Sequence, residues 1–153
     1  MADYFLDSSA LVKRMILEQG SDWISELCEP GRHQIHIADV ALAEVAAALA
    51  SKARNHDGIG VADRDRILSI FLSDCDQQYQ VIGVTRPVID LAVGLTQRNR
   101  LRGYDAIQLA NALLLNHSRV SAGLASLRFV TADRDLIAAA TQEGLASDNP
   151  NDH

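Results

Sequence analysis

Asp7, Glu44, Asp105 and Asp133 are acidic residues set among apolar neighbours. Asp7 closes the apolar run Tyr4-Phe5-Leu6. Glu44 is the one polar residue between Val40 and Ala50. Asp105 opens an apolar helix, and Asp133 follows the run Leu127 to Val130. Carboxylates converging from separate elements are the donor set of a divalent-cation site. Oxygen donors alone suit magnesium or manganese, whereas zinc brings in histidine or cysteine. His33, His36, His56, His117 and His153 are scattered without zinc spacing, and so are Cys28 and Cys75.

Each acid also has a structural reading. Asp is a preferred helix cap, which covers Asp7 and Asp133 taken singly, and Asp105 in a first helical turn favours the helix dipole. Glu44 needs a partner if buried, because an unpaired buried carboxylate costs several kcal/mol; the alternative is an exposed stripe among the alanines. Ser8 and Thr131 stand where they can hydrogen-bond the acids or a phosphate, or simply cap and terminate their elements.

The pattern of apolar runs and breakers predicts strands near 3–6, 33–37, 79–84 and 127–131, with a short one near 145–148. It predicts helices near 8–18, 20–28, 39–54, 60–77, 86–99, 103–117 and 133–143. Such alternation argues for a three-layer α/β/α fold around a central parallel sheet. In an open parallel sheet, ligands gather outside the carboxyl ends of the strands, so Asp7 and Asp133 should face one crevice, completed by the two helical acids. Asn55 to Gly60 reads as a loop, and Asp148 to His153 as a frayed polar end.

At these residues the sequence resembles the PIN-domain ribonucleases, specifically the VapC-type toxins of prokaryotic toxin–antitoxin pairs. The likeness rests on Asp7-Ser8-Ser9-Ala10-Leu11-Val12-Lys13, the isolated Glu44, the run Leu101 to Ala110 and the ending Phe129 to Leu136; Gly144-Leu145 followed by Asn149-Pro150 looks like the family's last strand. The resemblance implies one PIN domain over residues 1–148 with a short polar tail at 149–153, and Asp7, Glu44, Asp105 and Asp133 as metal-binding acids. Asp135 is a further acid near the site, in reach of the metal through water or lying on the helix surface. Segment 121–126 resembles a loop insertion.

The same resemblance implies a Mg2+- or Mn2+-dependent endoribonuclease that leaves a 5′-phosphate and a 3′-hydroxyl on structured RNA such as transfer or ribosomal RNA. It also implies a cognate VapB-type antitoxin, a homodimer and a toxin–antitoxin hetero-oligomer. Two ions about 3.5–4 Å apart would generate the attacking hydroxide and steady the leaving oxygen, with no protein nucleophile. An apolar surface around Trp23, with Met15, Ile16, Ile24 and Leu27, could receive the antitoxin, or could be ordinary core. Two other readings compete. An aspartyl-phosphate enzyme using Asp7 as nucleophile should carry a second Asp where this chain has Ser9, and a catalytically silent PIN scaffold should lack one of the acids.

The chain has 153 residues, 48% hydrophobic and 22% charged, which suits one globular core, and no stretch approaches the ~20 apolar residues of a membrane span. The amino terminus enters a strand without a secretory signal, and with two unpaired cysteines the expected compartment is the cytoplasm. A net charge of −6 is awkward for RNA binding, since phosphate contacts supply much of such affinity. Positive charge must therefore be local. The candidates are Arg98, Arg100 and Arg102, running into Tyr104-Asp105, and Lys13 and Arg14, about two helical turns beyond Asp7. The Arg98 to Arg102 group could equally be a helix carboxyl end complementing its dipole.

Overall fold

The computed structural model describes residues 1–153. Its elements run β1 (Asp3–Leu6), α1 (Ser8–Met15), α2 (Ser21–Leu27), β2 (Gln34–Ala38), α3 (Val40–Arg54), α4 (Val61–Gln77), β3 (Gln80–Ile82), α5 (Arg86–Arg98), α6 (Gly103–Ser121), β4 (Arg128–Val130), α7 (Arg134–Gln142) and β5 (Ser147–Asp148), closed by a 3-10 turn over Pro150–Asp152. All neighbouring strands are parallel, in the order β3-β2-β1-β4-β5. Parallel strands need covered faces, which explains why their central residues are apolar on both sides.

Alternation along β1 and β4 divides the core. Phe5 and Phe129, with ring centroids 6.0 Å apart, enter a layer with Leu95, Leu109 and Leu136 from α5, α6 and α7. Leu6 and Val130 turn to the other face and pack with Leu11, Ile24, Val45 and Phe71 from α1 to α4. The expected α/β/α sandwich is therefore the observed one. Burying Phe5, Leu6, Phe129 and Val130 completely, at about 1.5–3 kcal/mol each, holds together the two strands that carry Asp7 and Asp133.

Two helix ends differ from expectation by three residues or more. Helix α1 stops at Met15 instead of continuing to 18, because Ile16 is already extended and Leu17 points to solvent. Helix α6 continues to Ser121, four residues further than the pattern implied, and ends at Ala122 with Gly123 in the left-handed region. Asn116 then ties the return to β4 by accepting from the Leu127 N–H at 2.9 Å. Most of the supposed insertion at 121–126 is thus a helix cap and its return.

The carboxyl end is not frayed. Pro150 and Asn149 are buried, and Gln19 Nε2 donates to the Asn151 carbonyl at 2.9 Å. The His153 ring stacks on Trp23 at 4.0 Å with 2° between planes. Gly20, at φ +84°, lets this segment approach: a Cβ there would sit 2.5 Å from the Pro150 carbonyl oxygen. The chain's own end stacks on half-buried Trp23, and Ile24 and Leu27 are core, so what is left of the expected apolar surface is a small depression where Trp23 and Leu27 meet Tyr4, Glu26, Arg32 and His33.

Trp23 is the single tryptophan, so its fluorescence reports this docking. Removing residues 149–153 should shift its emission to the red and lower stability by about 1–3 kcal/mol in denaturant titrations. An unchanged spectrum and midpoint would mean that the tail does not pack there in solution.

Candidate active site

The site begins where the sheet changes direction of growth. β2 lies on one side of β1 and β4 on the other, with Leu6 opposite Val130, and the Asp7 N–H continues the ladder to the Val130 carbonyl at 3.1 Å. Chain leaving β1 and chain leaving β4 diverge here, opening a crevice at the carboxyl ends of both strands.

Asp7 lies at the bottom, 4% exposed. Its Oδ1 accepts from the Ser9 hydroxyl at 2.7 Å and from the Ala10 N–H at 3.0 Å, so it is also the cap of α1. Its Oδ2 accepts from the Thr131 hydroxyl at 2.6 Å. Ser9 and Thr131 in turn accept from the Ala132 and Asp133 N–H groups, at 3.0 and 3.1 Å. Each hydroxyl therefore gives its proton to Asp7 and receives one from the loop after β4. Asp133 Oδ1 caps α7 through the Asp135 and Leu136 N–H groups. Capping and site membership coexist in both residues.

The helical acids arrive from opposite layers. Glu44 on α3 is half-buried rather than enclosed, and its Oε1 accepts from Gln108 Nε2 at 2.9 Å. The same Nε2 reaches Ser8 Oγ at 3.1 Å, so one buried amide spans α1, α3 and α6. Asp105, one turn before Gln108, accepts from Arg102 Nε through Oδ2 at 3.2 Å, and the Arg102 guanidinium lies 4.8 Å from the Tyr104 ring centre.

All four acids line one cleft of about 220 Å³, together with Ser8, Ser9, Arg102, Tyr104 and Gln108. It opens into a hollow of about 500 Å³ that shares Arg102, Asp105 and Asp133 and adds Thr96, Asn99, Arg100, Leu101 and Asp135. Asp135 is thus an exposed residue on the outer wall. Of the predicted cations, Arg102 lines the cleft and Arg100 the adjoining hollow, but the other three line neither. Lys13 is buried and donates to Glu18 at 3.2 Å and to the Gln19 carbonyl at 2.8 Å. Arg14 lines a separate depression with Arg66, and Arg98 is paired with Glu143 at 2.6 Å. Counting helical turns from Asp7 fixed the distance of Lys13 and Arg14 along α1 but not the face they occupy.

Burial pushes the Asp7 carboxyl up to about 6, against the pull of Thr131, Ser9 and the Ala10 N–H, with the Asp105 charge adding a smaller push. Asp105 is also raised, first by desolvation and then by Asp133 and Asp135, with Arg102 opposing. These groups need a cation near them. Arg102 supplies one, and its own proton is held more firmly through Asp105.

The donor set fits an oxygen-seeking divalent ion. Glu44, Asp105 and Asp133 each give the protein one oxygen and keep the other without a protein partner. Asp7 Oδ2 has one bond and a remaining lone pair. Gln108 Oε1 is buried with no partner at all. No three acidic, histidine or cysteine side chains yet converge closely enough to enclose an ion.

Sequence reasoning missed Ser9 as a ligand of Asp7, and it missed Gln108. A signal existed for the second: Asp105, Gln108 and Asn111 recur every three residues while the rest of Ala106 to Leu115 is apolar, one face of polar groups that must find partners.

No protein-family model matches the chain. Two curated relatives from Mycobacterium tuberculosis, Ribonuclease VapC45 of strain CDC 1551 / Oshkosh and Ribonuclease VapC49 of strain H37Rv, are each 34% identical to it over 116 residues, 71% of this chain and 74% of the relative. Among solved structures, a toxin-antitoxin complex from Klebsiella pneumoniae aligns with TM-score 0.63 at 18% identity, covering 96% of this chain and 97% of the other. Mycobacterium tuberculosis VapC20, described as a sarcin-ricin loop cleaving toxin, aligns with TM-score 0.60 at 18% identity over 89% and 94%. At such identities the likeness is one of fold.

The raised Asp7 carboxyl has a measurable sign. The folded chain holds that proton more tightly than the unfolded chain, so metal-free protein loses up to roughly 3 kcal/mol of stability from this group as pH rises from about 4 through 6. Asp7→Asn should therefore melt higher than wild type at pH 7.5 without metal, with the gap closing toward pH 5. Added magnesium or manganese should raise the wild-type melting temperature and leave the variant unmoved. Equal metal response in both proteins would remove Asp7 from the ion site.

Proposed function

The chain belongs to the VapC family of PIN-domain ribonucleases, and we propose that it is a Mg2+- or Mn2+-dependent endoribonuclease toxin acting through Asp7, Glu44, Asp105 and Asp133. The observation that carries this reading is one cleft at the β1 and β4 ends in which all four acids offer oxygens, three of them an oxygen with no protein partner.

Asp7 and Asp105 are the first choices to hold an ion, with Asp133 beside them. A bound divalent ion supplies charge neutralisation and an activated water for an in-line displacement at phosphorus. Attack by water breaks the P–O3′ bond and leaves a 5′-phosphate on one product and a 3′-hydroxyl on the other, the proton lost by water balancing the one gained by O3′. Glu44 orients the water through its free Oε2, while Gln108 fixes the carboxylate by its Oε1. Ser9 and Thr131 keep Asp7 from turning. Those bonds also argue against Asp7 as a covalent nucleophile, since both its oxygens are engaged and it is buried.

Arg100 and Arg102 hold the RNA backbone where the acids would otherwise repel it. We take the substrate to be structured RNA such as transfer or ribosomal RNA, cut in the cytoplasm to arrest translation; VapC20 is described as a sarcin-ricin loop cleaving toxin. The partner is a VapB-type antitoxin, in line with the Klebsiella pneumoniae toxin-antitoxin complex, and we take the assembly to be a homodimer joined to it. A basic antitoxin segment would be attracted by the carboxylates that repel RNA. No helix is long and apolar enough to cross a membrane.

The test is induction of the chain alone in a bacterial host, with RNA ends mapped across the transcriptome. Growth arrest with recurrent 5′-phosphate ends is expected, and Asp105→Asn or Glu44→Gln should lower cleavage at least a hundredfold. Identical RNA ends with and without Asp105→Asn would place the chemistry elsewhere. Salt titrations refine the cations: Arg100→Gln and Arg102→Gln should each reduce the slope of log affinity against log salt by about 1. Arg98→Gln should leave it unchanged, because that guanidinium is committed to Glu143.

A further inference from the structure

Tyr104 is the one exposed aromatic side chain of the chain's seven. Phe5, Phe71, Phe129 and Tyr79 are buried, Tyr4 and Trp23 are half-covered, yet Tyr104 is 46% exposed. It sits in the first turn of α6, immediately before Asp105, and lines the carboxylate cleft. Its hydroxyl makes no hydrogen bond to another side chain or to the backbone, and no other aromatic ring stacks on it. Its recorded ring contact is the Arg102 guanidinium at 4.8 Å, a cation held in turn by Asp105 at 3.2 Å. The ring is therefore backed and oriented but does little for the core.

We propose that Tyr104, backed by Arg102, is the seat on which one unpaired nucleobase of the RNA stacks beside the phosphate that is cut. The inference rests on the ribonuclease reading and adds what that reading lacks, a contact to a base. Carboxylates, ions and arginines grip phosphates and distinguish no nucleotide from another. An aromatic face accepts a base only when the base is out of its helix, which is how proteins select single-stranded or looped RNA. Placement in the turn that carries Asp105 puts the stacked base next to the reacting phosphate. Arg102 would serve twice, as backing for the ring and as a charge facing the backbone.

The experiment uses the full chain and a single-stranded RNA containing the mapped cut, with 2-aminopurine moved through each position around it. Binding is followed in the Asp7→Asn background, and in wild type with chelator should that variant misfold, so that turnover is absent. Fluorescence should be quenched at one position beside the cut with Tyr104 or Tyr104→Phe. Tyr104→Ala and Tyr104→Leu should lose that quenching and bind about 5- to 150-fold more weakly, the range spanned by base–aromatic stacking. Replacing the base at that position by an abasic site should weaken wild type by a similar factor and the Ala variant no further.

Quenching that survives Tyr104→Ala, equal affinity of the Phe and Leu variants, or equal sensitivity of wild type and Ala variant to the abasic site would each overturn the proposal. Failure of the ribonuclease reading is seen separately: wild type with magnesium or manganese then cuts no RNA. Cleavage by wild type with unaltered binding and cleavage in Tyr104→Ala leaves the enzyme intact and removes the stacking seat.

Discussion

The cleft depends on a buried carboxylate that the fold charges at a cost. Asp7 occupies the end of a strand whose previous two residues are wholly buried, so its side chain has nowhere to go but the interior side of the crevice. Ser9 and Thr131 make this tolerable by donating to both its oxygens, and because those hydroxyls also accept from Ala132 and Asp133, the same bonds draw the loop after β4 against the start of α1. Desolvation nevertheless remains the largest influence on Asp7 and leaves its carboxyl at about 6. The residue is thus poised for a positive partner, and the surrounding acids gain from the same partner.

Gln108 solves a different part of the problem. An amide carries no charge, so it can be buried among carboxylates without adding repulsion, and its nitrogen links Glu44 to Ser8 across three helices. Its oxygen is left unpaired in a place where an unpaired acceptor is costly. Arg102 balances the outer part of the cleft from solvent. The interior acids are positioned by neutral donors, whereas Asp105 at the mouth is held by a solvent-exposed cation.

Most of the fold was readable because the pattern that signals each element is the packing that stabilises it. The strand ends at Leu6 and Val130 precede acids, and Asp7 and Asp133 could be placed at one crevice from parallel-sheet geometry alone. Glu44 stood out as a single polar residue among apolar ones. The failures concern facing and tertiary docking. Lys13 and Arg14 lie at the right distance from Asp7 but turn toward Glu18 and Arg66 respectively, which depends on how α1 is rotated against its neighbours. Arg98 pairs with Glu143, 45 residues away. The end of the chain looked polar and loose because the pockets that bury Pro150 and Asn149 are made by other segments, with Gly20 leaving room by having no side chain.

The pairing of β1 with β4 joins the first strand of the chain to one that comes more than a hundred residues later. During synthesis the chain therefore carries Asp7, Glu44 and Asp105 before it has the strand that closes their cleft. The hydroxyl of Thr131, the loop that holds Ser9 and the carboxylate of Asp133 all emerge after every other member of the cleft. The site cannot be complete until β4 has been made and has paired with β1. Sheet closure acts as a delay: the acids are gathered into one cleft only when β4, made after Asp7, Glu44 and Asp105, has docked beside β1.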